Sequence, residues 1–121
     1  MKQPVPEDAC LDSLNVLGAL LGHKNATGRD HLVQQDNGKV GNYGLRVGNW
    51  KLVRHDRKQA RNLIVETTLT NTEVPQYQLF DLSSDPEEKH DLSTQFPQKM
   101  QELTARLADV IAAGRTRPAK P

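Results

Sequence analysis

The sequence holds a single cysteine, Cys10, which excludes an intramolecular disulfide and any zinc site built on several thiolates. Aromatic residues are almost as scarce. Phe80, Phe96, Trp50, Tyr43 and Tyr77 are the full set, so the interior has to be built mainly from leucine and valine. No run approaches the ~18 consecutive apolar residues of a membrane-spanning helix, and no membrane partner is expected. The opening Met-Lys-Gln-Pro-Val-Pro-Glu-Asp carries no apolar signal region, so no export address is expected and the compartment stays open. Strong charge of either sign is missing too. A formal net charge of +1 argues against a globally basic nucleic-acid binder and against an acidic solvating tail.

What is present suits one domain. At 121 residues the chain can bury one core, whereas two domains of half that size would each be marginal. Charge is unevenly placed. Arg46, Lys51, Arg54, Arg57, Lys58 and Arg61 stand against one acid, Asp56; Asp81, Asp85, Glu87, Glu88 and Asp91 then stand against Lys89. Such runs usually mark solvated surfaces.

The pattern along the chain predicts α+β architecture. Pro4 and Pro6 keep the start extended. Leu14, Leu17, Leu20 and Leu21 recur at helical spacing, with Asp12 as candidate N-cap and Gly22 as stop, which predicts a short helix of about three turns. Strand-like runs follow over His31 to Gln35, Tyr43 to Val47 and Trp50 to Val53. Gly48-Asn49 between the last two is a strong two-residue hairpin signal. Between His55 and Thr72 either a hairpin or a long loop is open. Gln76 to Leu82 resumes strand character, and Ser83 to Pro86 turns the chain. Pro97 suits a first helical turn, Met100, Leu103, Leu107, Val110 and Ile111 form an apolar stripe, and Gly114 ends it. Glu102 and Arg106 offer an i,i+4 pair. The expected fold is a small antiparallel sheet of about four strands, with a long C-terminal helix packed on one face and a short N-terminal helix.

No self-contained active site is visible. The histidines at 23, 31, 55 and 90 lack the spacing of helical metal ligands, and no serine sits in a Gly-x-Ser-x-Gly elbow. The glycines at 38, 41, 44 and 48 lack the Gly-Lys-Ser/Thr ending of a phosphate loop. Asn25-Ala26-Thr27 is a formal glycosylation sequon, and Asp85 with Glu87 and Glu88 lacks calcium-loop spacing. No catalytic residue, metal ligand or cofactor is therefore assigned to this chain.

A resemblance adds what the residues alone do not. Asp12-Ser13-Leu14-Asn15-Val16-Leu17, Leu20-Leu21-Gly22, Arg29-Asp30-His31-Leu32-Val33, Leu45 to Val53, Leu79-Phe80-Asp81-Leu82, Asp85-Pro86 and Asp91-Leu92 follow one another in an order that resembles the C-terminal region of arylsulfatase-type (type I) sulfatases. The resemblance implies a lead-in and short helix over 1–28 ending a separate catalytic domain, a C-terminal subdomain over 29–114, and a flexible tail over 115–121. It implies a sulfuric ester hydrolase whose formylglycine and calcium lie outside these residues, since Cys10 is followed by Leu11-Asp12-Ser13-Leu14 and not by the maturation motif. The chain alone is then expected to be inactive. Its expected partners are the catalytic domain, or other copies through an exposed sheet. Sulfated sugars or aryl sulfates are the implied substrates of a complete enzyme, and complete family members are often periplasmic, secreted or lysosomal. By position, His31, Gln34, Gln35, Asp36 and Asn37 would lie on the substrate-cleft rim, against the plainer reading of His31 as a half-buried strand residue. Trp50 would pack into the sheet and Lys51 reach solvent or the missing domain. The alternative is a small anion-binding or protein-interaction domain using the basic stretch 46–61.

Overall fold

The computed structural model describes residues 6, 8–26, 28–36, 41–56 and 75–117. In chain order these form α1 (Leu17–Leu20), β1 (His31–Gln35), β2 (Tyr43–Val47), β3 (Trp50–Arg54), β4 (Tyr77–Asp81) and α2 (Pro97–Ala113). The strands make one antiparallel sheet in the order β1-β2-β3-β4, so neighbours in sequence are neighbours in space. The expected α+β fold is borne out. Among the described residues no helix is long and apolar enough to cross a membrane.

Strand alternation explains the core. Register places Val33 beside Leu45, Leu45 beside Leu52, and Leu52 beside Leu79, a row crossing all four strands on one face. Leu103 and Leu107, four apart on α2, press onto that row. The five leucines Leu45, Leu52, Leu79, Leu103 and Leu107 are at most 1% exposed. Burying each such side chain contributes about 1.5–3 kcal/mol. Trp50 joins the rim of this core, its ring edge-on to Phe96 at a centroid distance of 5.2 Å. The opposite face carries Leu32, Gln34, Arg46, Lys51 and Phe80, of which Phe80 is buried.

Local signals set the boundaries. Gly48 has φ +59 at the first central position of the β2–β3 turn, as a two-residue hairpin with glycine there requires. Pro97 opens α2, and Gly114 closes it in the left-handed conformation at φ +64, donating to the Val110 and Ile111 carbonyls. The outer edge of β4 is occupied at its centre. The Leu79 N–H donates to Asp91 Oδ1 at 3.1 Å, and its carbonyl accepts from Leu92 N–H at 2.8 Å.

Three expectations need correction. The first helix is one turn, not about three, because Asp12 does not cap it. The Asp12 carboxylate instead accepts from Thr116 N–H and Oγ at 2.8 and 3.0 Å, while the Leu17 N–H finds Asn15 Oδ1. Arg106 does not pair with Glu102. It reaches Asp30, and Glu102 takes Lys99 at 2.6 Å. Lys51 does not extend into solvent. Its ammonium bonds Glu88 Oε1 at 2.6 Å. Arg117, within the expected tail, donates its N–H to the Leu11 carbonyl. The uncertain interval from 55 to 72 lies outside the described residues from 57 onward.

Candidate functional site

The rim residues implied by resemblance lie on β1 and just after it, at the edge of the sheet. His31 opens the strand on the helix-packed face, and its side chain is only 10% exposed. Its Nδ1 lies 2.7 Å from Asp30 Oδ1 and 3.0 Å from Arg106 NH2, while Arg106 NH2 lies 2.5 Å from Asp30 Oδ2. A carboxylate only accepts and a guanidinium only donates, so one Nδ1 cannot satisfy both. The shorter contact favours an Nδ1–H donating to Asp30, with Arg106 donating to the other carboxylate oxygen. His31 Nε2 is buried and has no hydrogen-bond partner among the described residues.

This network fixes the charge of Asp30. The hydrogen bond from His31, then that from Arg106, lower its pKa from 3.8 to about 2. A depressed carboxylate stabilises the fold above its unfolded pKa near 3.8, and that contribution disappears as pH falls through about 2. Asp30 is 71% exposed, so solvent screens the effect. Replacing Arg106 by Gln is expected to raise the Asp30 pKa toward the ordinary carboxylate value. Carboxyl-carbon NMR titration checks this; an unmoved midpoint would show that Arg106 contributes nothing.

Gln34 projects to the opposite face from His31, beside Gly44, and is exposed. Gln35 returns to the helix face, about 13 Å along the strand from His31. It lines a cavity of about 280 Å³ with Asp12, Arg29, Tyr43 and Ile111. Asp36 is held in the β1–β2 connection. Its N–H donates to the Asn42 carbonyl, its carboxylate accepts from Asn42 Nδ2 at 3.1 Å, and Asn42 Oδ1 accepts from Asp56 N–H. Asn37 lies outside the described residues. The four described positions therefore follow one strand edge and do not converge on one reacting atom.

A second hollow, about 370 Å³, is lined by Arg29, Asp30, His31, Leu32, Arg46 and Gly48. Arg106, which organises Asp30 and His31 from α2, escaped the sequence reading because helix spacing offered Glu102 as the nearer partner. Of the basic stretch, Lys51 is bonded to Glu88, and the Arg54 guanidinium lies over the Tyr43 ring at 5.9 Å. Arg46 is exposed, and Arg57, Lys58 and Arg61 lie outside the described residues. Among the described residues no cluster of three or more His, Cys, Asp or Glu side chains is placed to hold a metal ion.

The described residues form a meander sheet backed by one long helix, and comparison with known proteins gives the kind of module this is. The chain is related to the sulfatases and fits a C-terminal sulfatase subdomain. It is 37% identical over 110 residues to the N-acetylgalactosamine-6-O-sulfatase of Bacteroides thetaiotaomicron, a match covering 91% of this chain and 20% of that enzyme. A solved sulfatase structure, described under metabolism of multiple glycosaminoglycans by the same organism, superimposes with a TM-score of 0.67 at 35% identity. That match covers 89% of this chain and 22% of the other. The chain thus spans about a fifth of the length of these relatives. No protein-family model matches it.

Proposed function

We propose that these 121 residues act as the C-terminal, non-catalytic module of a sulfuric ester hydrolase, and that the formylglycine nucleophile and calcium site belong to a catalytic domain outside them. The observation that carries the reading is the match to one fifth of an N-acetylgalactosamine-6-O-sulfatase along nearly the whole of this chain, supported by the agreement in fold. Sulfated amino sugars are the substrate class it suggests. In the complete enzyme the edge after His31 would line the cleft mouth, with Gln34, Gln35 and Asp36 set along it on alternating faces. His31, held by Asp30 and Arg106, would fix where the strand begins.

The surface supports a docked domain. Leu17, Leu20 and Leu21 are 58%, 78% and 62% exposed on a one-turn helix that buries none of its own residues. Three exposed leucines on one turn form a patch that a partner surface would cover. The whole segment is tethered by Arg29 donating to the Asp12 carbonyl and by Asp12 to Thr116. Incubated with an aryl sulfate and calcium, the isolated chain should release no sulfate. Turnover above the buffer blank would overturn the assignment of the chemistry to another domain.

A further inference from the structure

We infer that the cavity of about 280 Å³ beside Gln35 binds one sulfated pyranose unit, with Arg29 taking the sulfate and Gln35 and Tyr43 the ring hydroxyls. Three stretches far apart in sequence wall it. Register sets Gln35 of β1 opposite Tyr43 of β2, and Val33 lies on the same face two residues back. Val110 and Ile111 come from the last turn of α2, after which Gly114 turns the chain in the left-handed conformation and Thr116 meets Asp12. The N-terminal stretch closes the remaining side, where Arg29 donates to the Asp12 carbonyl at 3.0 Å.

The unmatched polar groups select the ligand. A guanidinium has five N–H donors, and Arg29 uses one of them on a neutral carbonyl. Among the described residues Arg29 forms no ion pair, whereas Lys51, Lys99 and Arg106 each do. The Asp12 carboxylate also lines the cavity, but its Oδ1 accepts from both the N–H and the hydroxyl of Thr116. With Arg115, the described lining holds two cations against that one anion. Neither the Gln35 amide nor the Tyr43 hydroxyl has a hydrogen-bond partner among the described residues, and Val33, Val110 and Ile111 supply an apolar floor. A few unmatched polar groups over such a floor suit a small ligand, and a pyranose offers hydroxyls around its rim and C–H groups on its faces. The volume lies just below the roughly 300–1,000 Å³ of pockets for drug-sized ligands, which is room for one sugar unit and not for a longer chain. The guanidinium calls for an anionic substituent. A sulfate ester is the one that the proposed function supplies, and that step alone rests on it.

NMR titration of the full chain with N-acetylgalactosamine 6-sulfate tests the inference. Amide shifts should concentrate at Gln35, Tyr43 and Gly114 and saturate in the millimolar range or below. Unsulfated N-acetylgalactosamine, inorganic sulfate and glucuronate should each bind at least tenfold more weakly, because each lacks either the ring or the sulfate. Arg29→Gln keeps an amide donor near the Asp12 carbonyl but removes the charge. It should weaken the sulfated sugar at least tenfold and leave the unsulfated one unchanged. Gln35→Ala, at an exposed position, should weaken both sugars by similar factors with an unaltered circular dichroism spectrum, and Gln34→Ala, on the opposite face, should change neither. The inference is overturned by the absence of a saturable shift at tens of millimolar, by full affinity in the Arg29→Gln variant, or by equal binding of inorganic sulfate or glucuronate. None of these results bears on sulfate release by the isolated chain, which tests the proposed function separately.

Discussion

Leu52→Ala is expected to destabilise the module by about 2–5 kcal/mol, enough to unfold much of the population at ambient temperature. Leu52 is fully buried at the centre of the sheet, between Leu45 and Leu79 in register and under the leucines of α2. Removing its branched end loses transfer free energy and leaves a cavity that the antiparallel ladder on both sides prevents from closing. A core held by five fully buried leucines has little to compensate with. Urea denaturation read by far-ultraviolet circular dichroism checks it. Leu32→Ala, at a 38% exposed position on the other face, should cost less than a third as much. Similar midpoints for the two variants would mean that the leucine row is not the organising core.

The parts of this fold that could be read from the sequence are those decided by a residue and its near neighbours. Gly48-Asn49 specifies its turn because glycine takes the positive φ that the hairpin needs. Pro97 and Gly114 bracket α2 for equally local reasons, and the stripe of Leu103 and Leu107 follows from 3.6-residue periodicity. What escaped depends on distance. Arg106 and Asp30 are 76 residues apart, and Asp12 and Thr116 are 104 apart, so nothing local announces either bond. The first of these contacts diverts Arg106 from the expected Glu102 pair. The second takes Asp12 away from capping, which leaves α1 a single turn despite its helical leucine spacing. That spacing still carries information, since the same leucines reappear as an exposed patch.

The candidate rim was legible only through resemblance. Nothing in His31-Leu32-Val33-Gln34-Gln35 distinguishes a cleft edge from an ordinary edge strand, and the strand's alternation sends Gln34 to one face and His31 with Gln35 to the other. Under the proposed function such an edge would contribute a wall and hydrogen-bonding groups to the cleft mouth.

The largest functional effect is expected when this chain is placed where its relative carries the matching fifth. Under the proposed function, deleting that fifth from the Bacteroides thetaiotaomicron enzyme would uncover a docking surface and remove one wall of the cleft, so sulfatase activity should fall by at least a hundredfold. Inserting residues 1–121 in its place should then restore activity, because fold and sequence match along nearly the whole chain. Sulfate release by the hybrid, compared with the truncated enzyme at equal soluble concentration, is the most direct measurement. The proposed module predicts turnover at least tenfold above the truncated form. Turnover no higher than the truncated form, from a hybrid that is folded and monodisperse, would contradict it.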